Sequence, residues 1–274
     1  MSSKAKEAYE RVVRGVEDLV RSDSWKEYLS FQSRFYDYSF NNTLLIWLQC
    51  SHASHVSGFR SWKELGRFVK RGEKAIKILA PLTYKNELTD EEGNEVVKRF
   101  IRGFRTVNVF EVSQTDGEEL PRVCTPLEGD SEEAKKVFEA LNKFIDIGIS
   151  EEEIAGGAHG YHDVREDRIA LEIKNALNHK AKILTHEYVH SLLDKEGTKE
   201  NETRREAEVV AESAAFIVSD YFGLDTSSYS FGYVAGWSGA DPKEILKKGE
   251  LIQKTAAKII SEVEEEKKKD SRVA

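Results

Sequence analysis

The chain has 274 residues, of which 39% are hydrophobic, 10% aromatic and 33% charged. This composition supports buried cores in one large or two ordinary domains, and it argues against a membrane protein, because no apolar run approaches the ~20 residues that a spanning helix needs. The net charge of −8 disfavours nucleic-acid binding by the chain as a whole, but residues 1–124 carry 20 Lys and Arg against 18 Asp and Glu, whereas residues 125–274 carry 21 against 31.

The first residues form a charged amphipathic segment without an apolar signal region. The two cysteines, Cys50 and Cys124, form no C-x-x-C motif and no disulfide framework. We therefore expect a cytoplasmic protein.

The N-terminal part of the chain is predicted to be helical. Apolar residues recur at helical spacing from Val12 to Val20, and an aromatic-rich helix is predicted from Ser24 to Phe35. A third, apolar helix follows over Leu44–Leu48, for which Asn41 or Asn42 is a candidate N-cap.

Residues 60–77 form the most basic stretch, with seven Lys and Arg against two Glu. We predict a short helix over Ser61–Val69, a turn at residues 71–73 and a strand over Ala75–Leu79. Clustered cations with interleaved aromatic rings suit a phosphate backbone whose bases stack on the rings, although such a stretch is also typical of a solvated surface. The candidate contact residues are Arg60, Trp62, Lys63, Arg67, Lys70, Arg71 and Lys74.

A polar hairpin loop is predicted over residues 82–98, followed by an alternating strand over residues 100–110. Residues 120–130 contain two of the four prolines and a glycine, which is typical of a linker. We therefore place a boundary after residue 124, which gives one domain over residues 1–124 and a second over residues 125–274.

The second half alternates helices and strands. A helix is predicted over residues 131–144, two strands over residues 154–163 and 168–171, and a last helix over residues 242–263 with a charged, fraying tail. Sheet and helix segments occur together in each half, which indicates an α+β protein.

Residues 183–193 contain the motif H-E-x-x-H. Residues four apart on a helix project from the same face, so His186 and His190 could offer two imidazoles to one zinc ion. Zinc would lower the pKa of a water molecule towards neutrality, and Glu187 would accept its proton as the water attacks a carbonyl. The alternative is that the two histidines are ordinary, partly buried helix residues.

A second helix over residues 203–222, ended by Gly223, supplies two acids in an apolar run. Glu208 and Glu212 lie four residues apart, and a carboxylate in such surroundings is costly unless a cation receives it. We prefer Glu212 as the third zinc ligand, because it lies deeper in the run between small residues, with Glu208 holding a histidine tautomer. Glu208 as an exposed first-turn acid remains the alternative.

Two blocks of residues carry a resemblance to a known family. The first block comprises Tyr38-Ser39, Asn41-Asn42, Leu44-Leu45-Ile46, Gln49, Ser61-Trp62, Leu65-Gly66-Arg67, Val69-Lys70, Gly72-Glu73-Lys74, Val109-Phe110 and Gln114-Thr115. The second comprises His186-Glu187-x-x-His190, Glu208, Ala211-Glu212-Ser213, Tyr229-Ser230 and Tyr233-x-Ala235-Gly236-Trp237. In this order they resemble the ArdC-type antirestriction proteins of plasmids, phages and mobile elements. One departure is Ser51, where we would expect the family's proline after Gln49.

The resemblance implies an N-terminal mixed helix/sheet domain that binds single-stranded DNA, with Asn42 among its contact residues. It also implies a C-terminal zincin-like, thermolysin-type metallopeptidase domain with Zn²⁺ as cofactor and an unknown protein as substrate. A neighbouring side chain would stabilise the oxyanion, and the candidates are Tyr161, His162, Tyr229 and Tyr233. Each of these could instead serve core packing.

Three functions follow from these expectations. The first is a zinc metallopeptidase that binds single-stranded DNA, and the second is a non-proteolytic DNA-shielding protein whose zinc site is structural or vestigial. The third is a toxin-like peptidase, which the missing secretion signal disfavours.

Overall fold

A computed structural model describes residues 3–21, 24–89, 95–118, 132–154, 158–195, 204–224, 226 and 241–273. Its contacts divide the chain into two units, one of residues Met1–Asp18 and Phe40–Leu120 and the other of Leu19–Ser39 and Pro121–Ala274. The units change over near the linker that the prolines indicate. In contrast to the predicted division at residue 124, however, Leu19–Ser39 belong with the C-terminal half.

The elements are numbered along the chain. The helices are α1 (Ser3–Arg21), α2 (Trp25–Ser33), α3 (Phe40–Gln49), α4 (Phe59–Glu64), α5 (Glu132–Phe144), α6 (Leu177–Lys195), α7 (Arg204–Tyr221) and α8 (Pro242–Val273). The strands are β1 (Val56–Ser57), β2 (Arg67–Val69), β3 (Ile76–Thr89), β4 (Glu95–Glu111), β5 (Thr115–Gly117), β6 (Gly148–Glu152), β7 (Gly160–Asp163) and β8 (Arg168–Glu172). Helices and strands occur in both units, so the fold is mixed α+β. No helix within the described ranges is long and apolar enough to span a membrane.

Two small antiparallel sheets form the N-terminal unit, in the strand orders β1-β4-β3 and β2-β5. Helix α3 covers the free edge of β3 with two side-chain amides. The Asn42 amide donates to Leu79 O and accepts from Leu79 N, both at 2.8 Å, and the Gln49 amide makes the same pair of bonds with Lys77. An open strand edge can pair with other chains. The two amides bind the N–H and C=O groups of this edge, as a neighbouring strand would.

The hairpin of β3 and β4 is longer than the sequence pattern predicts. Residues 82–98 were expected to form a polar loop, but the strands pair up to Thr89↔Glu95 with one register shift at Leu82/Thr83. Leu82, Tyr84 and Ile101 are exposed on this extension. A strand whose side chains are exposed, as those of Leu82 and Tyr84 are, need not show the apolar alternation by which a buried strand is recognised in sequence.

The helix predicted over Ser61–Val69 was also wrong in extent, since α4 ends at Glu64 and residues 67–69 form β2. Gly66 has φ +71°, the left-handed conformation that ends helices and that glycine adopts without strain. The chain turns there and enters the sheet. Neither Asn41 nor Asn42 is an N-cap, because α3 begins at Phe40.

In the C-terminal unit, β8 lies between β6, which is parallel to it, and β7, which is antiparallel and forms the edge. The sequence prediction omitted β6, whose residues Gly148–Glu152 include two acids and are partly exposed. Helix α7 lies at the centre, with Val209–Ala211 and Ala214–Val218 all buried. It packs against α2, α6 and α8. Helix α8 continues to Val273, well beyond the predicted end at residue 263.

The end of α7 is as predicted. Gly223 has φ +68°, its N–H donates to Asp220 O at 3.1 Å, and Leu224 N–H donates to Ser219 O at 2.8 Å. This is the paired hydrogen-bond pattern of a Schellman motif. It fixes the last turn of the helix that carries the two glutamates.

Candidate metal centre

The two histidines of the H-E-x-x-H motif face each other on α6. Their Nε2 atoms lie 3.1 Å apart, and their ring centroids are 4.7 Å apart. The side chains of His186 and His190 are 20% and 12% exposed, so both rings are partly withdrawn from water. The helix therefore presents two nitrogen donors at one point, as the four-residue spacing predicts.

Glu208 of α7 completes a three-residue cluster. Its Oε2 lies 3.5 Å from His186 Nε2 and 3.6 Å from His190 Nε2. Within the part of the chain that the structure describes, these three residues are close enough together to share one metal ion. Glu212 lies instead on the other side of the first ring, with its Oε2 3.2 Å from His186 Nδ1.

This arrangement reverses the order of preference drawn from the sequence. Glu212 was the preferred ligand and Glu208 the residue that holds a histidine tautomer, whereas the geometry favours Glu208 as the ligand and Glu212 as the residue beside Nδ1. Both acids reach the histidine pair, but they approach different nitrogens. Glu208 lies beside the two Nε2 atoms, and Glu212 lies beside Nδ1 of His186.

The donor set fits a tetrahedral ion. Donor atoms at roughly 2.0–2.1 Å from such an ion lie about 3.3 Å from one another, and the observed separations are 3.1, 3.5 and 3.6 Å. Two imidazoles and one carboxylate are a combination that zinc and other divalent transition metals accept. In addition, the contact of Glu212 with Nδ1 would fix the ring of His186 with Nε2 turned towards the ion.

The electrostatics of the cluster favour opposite charges on its members. Burial lowers the pKa of His186, but the carboxylates of Glu208, Glu212 and Glu187 outweigh it and raise the pKa to about 9. The hydrogen bonds from His186 and His190 hold the pKa of the Glu208 carboxyl well below its usual range. A metal ion at this point would compete with the proton of His186, because both bind to its ring nitrogen.

An open cavity of about 260 Å³ lies beside the cluster, lined by His159, Gly160, His179, Lys182, Ile183, His186, Glu187 and Glu212. Glu187 is thus on the wall of the same cavity as His186, as a general base would need to be. Gly160 belongs to the edge strand β7, and a Cβ at this position would collide with Ile183 of α6. The missing side chain lets the strand lie directly against the helix.

Tyr161 was expected to help stabilise an oxyanion, but the structure directs its side chain elsewhere. Its hydroxyl donates to Glu152 Oε1 at 2.7 Å and accepts from Arg168 Nη2 at 3.1 Å. Alternate residues of a strand face opposite sides, and Gly160 faces α6, so Tyr161 faces away from it. Tyr229 and Tyr233 lie outside the described residues.

His162 faces α6 but lies beyond the cavity. Its side chain is 5% exposed, with Nδ1 3.4 Å from Asp194 and Nε2 3.7 Å from Asp167. Two carboxylates therefore flank the ring, which ties β7 to the end of α6.

The residues proposed to contact DNA fall into two groups. Five of them are exposed: Arg60, Lys63, Lys70, Arg71 and Lys74. Two aromatic residues of the same part of the chain, Phe59 and Phe68, are 58% and 59% exposed. These seven residues are called the basic-aromatic surface below. Lys70 also contacts Ser113 O at 3.0 Å and Asp116 at 3.4 Å.

The other three residues have structural contacts. Trp62 is fully buried and donates to Phe110 O at 2.9 Å, so its ring cannot stack on a base. Asn42 is bonded to the edge of β3. Arg67 donates to Thr115 Oγ1 at 2.8 Å and to Thr115 O at 3.1 Å, as well as to Glu118 O, which clamps β2 to β5.

Three residues that line the cavity were not predicted from the sequence to belong to the site: His159, His179 and Lys182. A signal was present for the two on the helix, because His179 is seven and Lys182 four residues before His186, and both spacings keep a residue on one helix face. His159 precedes β7, and its place in the cavity depends on how the strand meets the helix.

Comparison with known proteins gives a family model and a relative that match this chain. The family model described as the N-terminal domain of anti-restriction factor ArdC matches residues 4–110. An uncharacterized protein of Bacillus anthracis is 27% identical over 310 aligned positions, which cover 95% of this chain and 53% of that protein. The chain thus spans about half the length of this relative.

Two crystal structures of the antirestriction protein ArdC from the R388 plasmid are similar in fold. The metal-free structure is 23% identical with a TM-score of 0.55, covering 82% of this chain and 85% of that chain. The Mn(II)-bound structure is 21% identical with a TM-score of 0.56, covering 93% and 97%.

Proposed function

We propose that this chain, whose residues 4–110 match the ArdC N-terminal model, is an ArdC-type antirestriction factor that shields single-stranded DNA with its N-terminal unit. The observation that carries the proposal is the basic-aromatic surface within the region that the ArdC N-terminal model matches. Exposed cations can neutralise phosphates, and exposed rings offer stacking faces that accept any base. In this role the DNA is covered, and no bond has to be broken.

The test of the proposal is binding of a labelled oligothymidylate and of a matched duplex to the full chain across a range of salt concentrations. Single-strand affinity should fall with rising salt, with a slope that reports the number of phosphates contacted. Replacing Lys63, Arg71 and Lys74 with Glu should reduce that slope by about 2, since each lost contact contributes ~0.7 for single strands. The control replaces the exposed Lys243, Lys254 and Lys258 of α8 with Glu. An affinity that stays flat with salt, or equal losses in both variants, would refute the proposal.

A metal-dependent peptidase activity is the second candidate function. It is supported by the position of Glu187 on the cavity wall beside the cluster of His186, His190 and Glu208. These three residues would hold a divalent metal, for which zinc is our preferred assignment. A bound metal would supply Lewis acidity and lower the pKa of a water molecule. Glu187 would accept the proton of that water and pass it to the leaving amine.

The Glu187→Gln variant separates the two functions. It retains the size of the side chain and removes only the base, so the metal content should equal that of the wild type. If the peptidase serves antirestriction, the variant fails both to cleave a fluorogenic peptide library and to protect an unmodified plasmid entering a restricting host. If DNA shielding suffices, protection is unchanged. We expect unchanged protection, because the DNA-binding surface lies in the other unit.

A further inference from the structure

The cavity beside the metal cluster has a second end, at the first turn of α6. His179 lies in that turn, Lys182 follows one turn later, and His159 precedes β7; all three line the cavity. The rings of His159 and His179 are in edge-to-face contact, with centroids 4.6 Å apart. We propose that His159, His179 and Lys182 bind a carboxylate side chain of a peptide held in this cavity.

The charges of this end carry the proposal. Lys182 is 8% exposed and lines the cavity, so its positive charge lies at the cavity wall. The pKa of His179 is lowered, by burial first and then by the nearby charges of His159 and Lys182. A carboxylate placed among these groups would counter that repulsion and accept charge-assisted hydrogen bonds.

The backbone of α6 adds to the same effect. Its first turn, Leu177–Lys180, contains no acidic residue, although acids are favoured where the N-terminal N–H groups concentrate positive charge. The positive end of this helix is therefore not compensated by an acid of its own first turn. An anionic group of a ligand would take that place.

Distance along the helix separates this site from the reacting centre. His179 and His186 are seven positions apart on α6, which at 1.5 Å per residue is about 10 Å. An extended peptide covers that distance in about three residues. The three residues therefore recognise a side chain about three positions from the group at the metal, rather than an oxyanion at the metal itself.

His159 is held in place for this role. Its Nδ1 lies 3.1 Å from Asn175 Oδ1, and Asn175 Nδ2 donates to His159 O at 3.1 Å. Nδ1 donates to Asn175 Oδ1, so the ring would bind a carboxylate through Nε2 in its charged form, in which both ring nitrogens are donors. The loop that carries Asn175 thus fixes the ring at the mouth of the cavity.

The proposal rests on the metal centre proposed above but not on proteolysis, so binding is its test. The probes are two hydroxamate-capped peptides that chelate the metal and differ only by Glu or Gln at the third residue from the hydroxamate. The wild-type, metal-loaded protein should bind the Glu peptide about tenfold more tightly. Glu placed at the first residue should give no advantage.

Two variants test whether Lys182 and His159 cause the preference for the Glu peptide. Lys182→Gln should reduce the preference for Glu below about twofold, and His159→Gln, at an exposed position that tolerates substitution, should reduce it in part. Lys174→Gln removes the same charge from a side chain that is 73% exposed and paired with Glu153, and it should leave the tenfold preference unchanged.

The possible failures are distinguishable. If the protein takes up no metal, the metal centre itself is refuted. If the metal-loaded protein binds neither peptide, this proposal is refuted while the metal centre stands. If both peptides bind equally, only the carboxylate site is refuted. If short oligothymidylate displaces the peptides while Glu gives no advantage, the cationic residues serve a phosphate, and the proposal is overturned in favour of a nucleic-acid ligand.

Discussion

The Oε2 of Glu212 lies 3.2 Å from Nδ1 of His186, on the side of the ring opposite the Nε2 that faces His190. A carboxylate in this position orients the ring and raises its basicity without touching the metal. Glu208 approaches both Nε2 atoms and is the better candidate ligand. The two acids, one helical turn apart, therefore have different predicted roles.

We expect Glu208→Gln to lose stoichiometric zinc, because an amide is a poor replacement for a carboxylate ligand. Glu212→Gln should keep the metal with an affinity that is lower by about 10–100-fold, the usual effect of losing a residue that orients a ligand. Metal content after dialysis against a graded chelator measures both. Loss of zinc from Glu212→Gln with retention by Glu208→Gln would restore the assignment made from the sequence.

A second prediction concerns the amide pair on the edge of β3. Asn42→Leu leaves the N–H and C=O of Leu79 without their partner in a partly buried place, which should cost about 2 kcal/mol in the free energy of unfolding. Gln49→Leu should cost under ~1 kcal/mol, since the bonds of Gln49 to Lys77 are exposed and water can replace them. Denaturant unfolding measures both.

The same variants decide whether Asn42 contacts DNA. In the structure its amide donates to and accepts from the backbone of Leu79, so the affinity of folded Asn42→Leu for oligothymidylate should equal that of the wild type. A large loss of affinity at normal stability would show that Asn42 is a DNA contact after all.

The sequence predicted the parts of the molecule that repeat with a helical period. The H-E-x-x-H helix, the glutamate helix and its end at Gly223 all follow from spacing and from one glycine. The choice between Glu208 and Glu212 does not, because both lie on one face of α7 and differ only in height. That height is set by how α7 crosses α6, a long-range property that local spacing does not contain.

The same limit explains the errors in the N-terminal unit. Trp62 lies in a basic stretch and is expected to be a stacking residue, but its indole N–H finds Phe110 O and the ring is buried. Residues 82–98 are polar, and nothing local distinguishes a solvated ribbon from a loop. In each case, pairing with a distant strand decides the outcome.

A third prediction uses the buried carboxylate of Glu111. Burial raises its pKa, but hydrogen bonds from Ser113 and Ser54 outweigh burial and lower it below the usual value of 4.5. A carboxyl whose pKa is lower in the folded state contributes stability above its unfolded pKa and loses it as the pH falls through the folded value. Glu111→Gln should therefore be less stable than the wild type by about 1–2 kcal/mol at pH 7.

That difference should shrink as the pH is lowered from about 4.5, where the wild type begins to lose the contribution. Unfolding by urea at pH 7, 5, 4 and 3 measures it, with Glu64→Gln at an exposed position of the same unit as the control. A stability difference that does not change with pH would mean that shape, and not charge, makes Glu111 important.

The last prediction distinguishes aromatic residues that bind DNA from those that support the fold. Phe68 is 59% exposed on β2, so Phe68→Ala should leave the melting temperature nearly unchanged. If a base stacks on this ring, its loss should weaken binding of oligothymidylate by about 1–3 kcal/mol.

Trp62→Ala removes a fully buried side chain and should reduce stability by about 3–5 kcal/mol. Its affinity, corrected for the folded fraction, should remain that of the wild type, because the ring lies inside the unit. The opposite result, normal binding by Phe68→Ala and weak binding by folded Trp62→Ala, would contradict this prediction.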